Sequence, residues 1–313
     1  MAVYTNVSAE ALSAFLTGYD VGELVSAKGI AEGVENSNYL VETTETRFIL
    51  TLYEKRVDAA DLPYFLSLTA HLAAKGLPVP APVTDRTGKA LQVLEGRPAC
   101  LIEFLPGVSV THITAALAGE AGAALAGLHL AAADFEGSRA NTLALAGWHE
   151  LAAACDGHLS DIDPGLPGLV RSELDWQDAH MPADLPEGMI HADLFPDNVL
   201  VLGGRVSGLI DFYFACTGAF AYDLAITHAA WAFDDDGGWL GDAISDALVA
   251  GYASQRALSD AEHGALNGLC RGAALRFLLT RAYDWIHTPA GAMVTRKDPM
   301  AFARRLEHYR AHS

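Results

Sequence analysis

At Leu105-Pro106-Gly107 the chain changes character, and that change limits what it can fold into. Before it, short apolar and β-branched runs alternate with turn residues. Residues 37–41 end on Tyr39, Leu40 and Val41, residues 47–53 read RFILTLY, and residues 90–94 and 98–104 flank a Glu95-Gly96 turn. Runs of this kind predict strands. Two helices accompany them. Ser8 is placed to cap one that carries Ala11, Leu12, Phe15 and Leu16 and stops at Gly18. The other covers 61–75, with Leu62, Phe65, Leu66, Leu68 and Leu72 on one side and Gly76 as its stop. Pro78, Pro80 and Pro82 then impose an extended link.

Beyond residue 107 helical spacing takes over, at 113–133, 143–159, 167–177, 223–232, 243–252 and 259–283. Ser259-Asp260-Ala261-Glu262 is a capping box opening one of the longest. Two short strands interrupt the series, 198–202 and 206–210, joined by a Gly203-Gly204 hairpin signal. There is no internal repeat and no low-complexity linker. The pattern predicts an α+β chain of two lobes: a small β-sheet lobe over 1–105 and a larger, mainly helical lobe over 106–313.

Charge and cysteine usage narrow the function classes. The 39 acidic residues against 20 basic ones give a net charge of -19. That argues against a non-specific nucleic-acid binder and against docking on an anionic membrane, since both need basic surface. It leaves a nucleotide substrate open, because local dipoles and a metal ion outweigh a global field. The cysteines, Cys100, Cys155, Cys216 and Cys270, are too far apart for a CxxC pair, so buried free thiols are expected. The first basic residue is Lys28, which leaves no positive n-region for a secretory signal. The alanine-rich stretch 115–135 is interrupted by Glu120 and His129 and reads as a core helix, not a membrane span. A soluble cytoplasmic protein, monomeric or homodimeric, is the expectation.

The chemistry concentrates between 190 and 212. Ile190-His191-Ala192-Asp193-Leu194-Phe195-Pro196-Asp197-Asn198 follows an expected turn at Pro186-Glu187-Gly188, and Ile210-Asp211-Phe212 follows the hairpin. Phosphoryl transfer needs a carboxylate to meet the attacking hydroxyl and oxygen ligands to hold Mg²⁺ against the phosphate charge. Asp193 suits the first role, and Asn198 and Asp211 the second. A solvated turn has a similar composition. The clustering before and after a hairpin favours the catalytic reading.

These residues resemble the catalytic core of the aminoglycoside phosphotransferase and choline kinase superfamily, relatives of the protein kinases. The resemblance implies a protein-kinase-like fold with ATP and Mg²⁺ as cofactors. It makes His191 a structural support of the loop and adds Asp223 of Tyr222-Asp223-Leu224-Ala225 as a brace. It also implies a phosphate-covering connection over 28–39, with Gly29, Gly33 and Asn36, and adenine bound by backbone groups near Glu103 and Leu105. The family places a Lys or Arg on the next strand, where this chain has Thr51. Lys55 or Arg56, just beyond, is the candidate substitute.

Further matches single out the homoserine kinases of that superfamily. They include 50–55 (LTLYEK), Leu62-Pro63-Tyr64-Phe65, 76–80 (GLPVP), Phe104-Leu105-Pro106-Gly107, 276–285 (RFLLTRAYDW) and Lys297-Asp298-Pro299. They resemble the kinase-like type; the Ser- and Gly-rich loop of the other type is absent, as is a GxxxxGK[ST] loop. The implied partners are ATP and L-homoserine, and the implied product is O-phospho-L-homoserine, a step toward threonine. Such a substrate needs groups for its carboxylate and amine, and Arg276, Arg281 and Asp284 are candidates. An exposed salt-bridged helix face would carry the same residues. Kinases for choline, methylthioribose or an aminoglycoside share the core, and Asp234-Asp235-Asp236 keeps a cationic substrate open. A protein kinase lacks support, since neither Gly-x-Gly-x-x-Gly nor Ala-Pro-Glu is present. A non-catalytic nucleotide-binding module would be favoured only by loss of Asp193, Asn198 or Asp211.

Overall fold

Alternation along Arg47–Leu52 shows how the first part of the chain is built. Phe48, Leu50 and Leu52 point into one cluster with Leu12, Leu16 and Val41, while Tyr53 and Cys100 join Leu62, Phe65 and Leu66 in another. A period of two thus gives the sheet two apolar faces, each covered by a helix. The computed structural model describes residues 4–30, 36–54, 58–288 and 296–312. In chain order the first elements are Ala9–Leu16 (α1), Leu24–Gly29 (β1), Ser37–Thr43 (β2), Arg47–Leu52 (β3), Leu62–Ala74 (α2), Pro82–Val83 (β4), Leu91–Leu94 (β5) and Arg97–Glu103 (β6). The strands form one antiparallel sheet in the order β1-β2-β3-β6-β4, with β5 also paired to β6. Ser8 caps α1 by accepting the Ala11 N–H, as the sequence predicts.

The remaining elements are Val108–Ser109 (β7), Ala115–Ala131 (α3), Leu145–Cys155 (α4), Leu159–Ile162 (α5), Leu166–His180 (α6), Glu187–Ile190 (β8), Val199–Leu202 (β9), Arg205–Leu209 (β10), Cys216–Ala219 (β11), Phe220–Trp231 (α7), Asp242–Gln255 (α8), Asp260–His287 (α9) and Met300–Ala311 (α10). The chain separates into two units. The first comprises Met1–Gly107, Phe135–Gly137 and Ser207–Tyr213, and the second comprises the rest. Asp211 therefore belongs to the first unit, where Tyr213 packs edge-on against Tyr53 and Phe65.

The core of the second unit gathers around α7 and α9, with Trp148, Ile226, Leu275, Leu279 and Phe302 all buried. Against this core α3 and α8 approach until their backbones touch. A Cβ on Gly122 would lie 2.1 Å from the Leu248 carbonyl oxygen, and one on Gly251 would lie 2.0 Å from that of Gly119. Small residues are what this close approach requires. That explains the alanine-rich composition of α3, which is a core helix. Among the described residues no helix is long and apolar enough to cross a membrane.

Several expectations change. Glu187 and Gly188 are not a turn; they open β8, which pairs with β11. Both strands are four residues long, and their pairing is non-local, so neither has a clear local pattern. The helix expected over 143–159 breaks after Cys155, where Gly157 takes a φ of +80° and α5 follows. Strand β1 and helix α10 were not expected. β1 is an edge strand with Ser26 and Lys28 exposed, so its apolar signal is weak.

Candidate active site

Strand β8 delivers the chain into His191, and from there the backbone is held at nearly every step. Ala192 takes a φ of +61°, a left-handed conformation that costs a non-glycine residue roughly 1 kcal/mol or more. Asp223, in the first turn of α7, stabilises it by accepting the His191 N–H at Oδ2 and the Ala192 N–H at Oδ1, each at 2.7 Å. Arg276 of α9 donates to the Ala192 carbonyl at 2.6 Å. The Asp193 carbonyl accepts from Phe195 N–H and from the Asn198 carboxamide, both at 2.8 Å. Trp231 Nε1–H donates to the Leu194 carbonyl at 3.0 Å, and Asn198 N–H donates to that of Phe195 at 3.0 Å. Val110 N–H and Ser109 Oγ–H take the carbonyls of Pro196 and Asp197. Each carbonyl from 192 to 197 thus has a donor, which a buried loop requires. The result is a rigid frame around one half-buried carboxylate, Asp193.

Asn198 Nδ2 also donates to Asp193 Oδ2 at 3.2 Å. This orients the carboxylate and leaves the Asn198 Oδ1 as an acceptor. Asp211, with a φ of +66°, presents an exposed carboxylate. Among the described residues no group of three or more His, Cys, Asp or Glu assembles as a metal cage.

Asp223 is itself fully buried. Burial works against its ionisation, but His129, at 2.9 Å through Nε2, together with the charge of His191 and its N–H, outweighs burial and holds the carboxyl below its usual range. His129 Nδ1 meets the Tyr252 hydroxyl at 2.9 Å. Sequence reasoning saw His129 only as an interruption of α3 and missed Trp231; a polar residue inside an alanine-rich helix was the available signal. His129→Ala leaves Asp223 short of one charge-assisted bond. It should lower stability by about 2 kcal/mol and reduce kcat about tenfold with little change in KM for ATP. Urea unfolding and steady-state kinetics check both parts, and an unchanged kcat would remove His129 from the support of the loop.

The other predicted residues separate. His191 is buried. Arg276 is 2% exposed with its guanidinium turned to Ala192, so it anchors the loop and does not line an open wall; a helix face in sequence carries no sign of a backbone partner 84 residues away. Asp284 lies on the exposed side of α9, and Arg281 is half-buried, donating to the Asp298 carbonyl at 3.1 Å. Asp234 folds its run into a turn by accepting from the Asp236 and Gly238 N–H groups.

In the first unit, Gly29 ends β1 and pairs with Tyr39, so it is strand and not loop. Gly33, Lys55 and Arg56 lie outside the described residues. Asn36 is buried and accepts the Glu54 N–H at 3.4 Å. Thr51 is buried, its hydroxyl donating to Asn38 Oδ1 at 2.8 Å. Glu103 closes β6 with its N–H given to the Ala81 carbonyl, and Leu105 is half-buried just beyond it.

Comparison with known proteins extends this picture. A family model described as phosphotransferase enzyme family matches residues 26–258. The chain is 55% identical to a homoserine kinase of Gluconobacter oxydans, over 100% of this chain and 99% of that protein. It is 53% identical to a homoserine kinase of Xanthobacter autotrophicus, over 99% and 97% of the two chains. A choline kinase from Cryptosporidium parvum superposes over 97% of this chain and 95% of its own, with a TM-score of 0.71 at 15% identity, a likeness of fold.

Proposed function

The chain belongs to the phosphotransferase enzyme family, and from its relatives within it we infer that it is a homoserine kinase, transferring the γ-phosphoryl group of ATP to the side-chain hydroxyl of L-homoserine. The observation that carries this is end-to-end identity above half with homoserine kinases. The intact and braced Asp193 loop supports it. In the reaction the homoserine oxygen bonds to the γ-phosphorus as the bond from that phosphorus to the β-phosphate oxygen breaks. ADP leaves with the bonding electrons, and the hydroxyl proton passes to Asp193. Loose transition states of this kind are stabilised mainly by positioning and charge.

Asp193 orients the hydroxyl and accepts its proton. Asn198 and Asp211 are the protein oxygens proposed for Mg²⁺, which when bound neutralises phosphate charge. Asn36 and the backbone of Glu103 and Leu105 are the proposed nucleotide contacts, with Gly33 and Lys55 assigned by resemblance alone. The substrates, ATP and homoserine, are small molecules. Cytoplasmic placement is supported by four buried free thiols.

The test is a coupled ADP-release assay over a panel of alcohols. L-Homoserine should give the highest kcat/KM. The compounds 4-hydroxybutyrate, which lacks the amine, and 3-amino-1-propanol, which lacks the carboxylate, should each be poorer by at least ~10²-fold, since a site built for both charges leaves one unpaired. Faster turnover of choline or methylthioribose would sink homoserine as substrate and leave the phosphotransferase assignment standing.

A further inference from the structure

Phe195 of the catalytic loop meets Phe277 edge-on, with ring centres 4.8 Å apart, and Phe277 stacks on Phe302 at 5.1 Å. Two guanidiniums share Phe302. Arg281 lies 4.5 Å from the ring centre and Arg305 4.2 Å. Among the described residues neither forms an ion pair with a carboxylate. Asp298 gives Arg281 only its backbone carbonyl; its carboxylate accepts the Met300 N–H at 2.9 Å and faces Arg304 at 4.0 Å. Arg305 donates to the carbonyls of Ala229 and Asp234, each at 2.7 Å, and its buried Nε has no partner.

Acids outnumber bases 39 to 20, so the missing anion is not a matter of shortage. Two neighbouring guanidiniums partly withdrawn from water and hydrogen-bonded only to carbonyls are costly, and an anion arriving from outside would offset that cost. Burial, and then the charge of Arg281, push the Arg305 guanidinium down to about 10. Burial also lowers Arg281, while the charges of Asp298, Asp235, Asp197 and Asp193 act on it in the opposite sense. Arg281 is thus joined to the loop of Asp193 through the packed rings of Phe302, Phe277 and Phe195. In a four-carbon hydroxy amino acid the hydroxyl and the carboxylate are about 5 Å apart when extended.

Resting on the homoserine reading, we propose that Arg281 receives the α-carboxylate of the substrate, with Arg305 behind it maintaining the positive potential. A planar guanidinium suits a carboxylate by offering two parallel N–H bonds. Arg281 is thus a specificity residue: it accepts amino acids and disfavours the matching amino alcohols.

The test begins with the wild type on L-homoserine and L-homoserinamide, whose carboxylate is neutralised. The amide should be poorer in kcat/KM by about 10²-fold. Arg281→Gln should then lose about 10²-fold in kcat/KM for homoserine, mainly through KM. Its kcat/KM for 3-amino-1-propanol and its KM for ATP should stay within about threefold of wild type, and Arg281→Lys should fall between the two enzymes. Equal losses on both alcohols, a rise in KM for ATP alone, or a wild type that uses the amide as well as homoserine would each overturn the assignment. The wild-type comparison stands even if a variant fails to fold. A wild type that ignores homoserine and prefers another alcohol refutes the functional reading itself, and shows this before any variant is made.

Discussion

Replacing Asp193 with asparagine is expected to lower kcat by about 10³-fold while leaving the fold and ATP binding intact. The size follows from the role: general base assistance contributes roughly 10²–10⁴-fold, and an amide cannot take the proton. The variant is nearly isosteric, and the frame explains why the fold should tolerate it. The Asp193 carbonyl, not its side chain, is the main acceptor of the Asn198 carboxamide at 2.8 Å. The weaker contact at 3.2 Å survives if the new side chain turns its oxygen toward Asn198. The loss should fall on kcat and kcat/KM alike, since the missing interaction belongs to the transition state. Thermal unfolding, ATP titration and the ADP-release assay together separate this from a folding defect. A folded Asp193→Asn protein with kcat within tenfold of wild type would remove Asp193 from the chemistry.

Local signals were readable in the sequence, and partners distant in the chain were not. The capping box at Ser259 and Glu262 forms as written, because both bonds lie within four residues. The Asp193–Asn198 contact likewise spans five positions, so spacing alone proposes it. The brace is different. Asp223 reaches His191 across 32 positions and His129 across 94, and Arg276 reaches Ala192 across 84. Resemblance supplied Asp223, whereas nothing in a helical pattern distinguishes Arg276 under a loop from Arg276 in water. Strands β8 and β11 escaped for the same reason, each too short to show a period before its partner is known. Conversely, the Arg281 environment depends on α10, which the sequence reading did not place as a helix, so the crowding of two guanidiniums on Phe302 had no expression before the fold was described.

Asp211→Asn should all but abolish turnover, with kcat down by about 10³-fold or more and the Mg²⁺ concentration for half-maximal activity raised at least tenfold. Asparagine is the informative change. Asp211 sits at a φ of +66°, where alanine would add backbone strain and asparagine is well tolerated. Its neighbours are well packed: Phe212 is 3% exposed, and Tyr213 packs on Tyr53 and Phe65. What the substitution removes is one negative charge from an oxygen donor. A neutral amide binds a hard divalent cation weakly, and the charge balance with the phosphates is lost with it. Asn198, already neutral, cannot compensate. Asn198→Ala should be milder in charge but also removes the 3.2 Å contact on the Asp193 carboxylate, so its KM for metal and its kcat should both change. Mg²⁺ titrations of activity at saturating ATP, alongside unfolding curves, read these effects. Asp211→Asn with kcat near wild type at unchanged Mg²⁺ would place the metal ligand elsewhere in the chain.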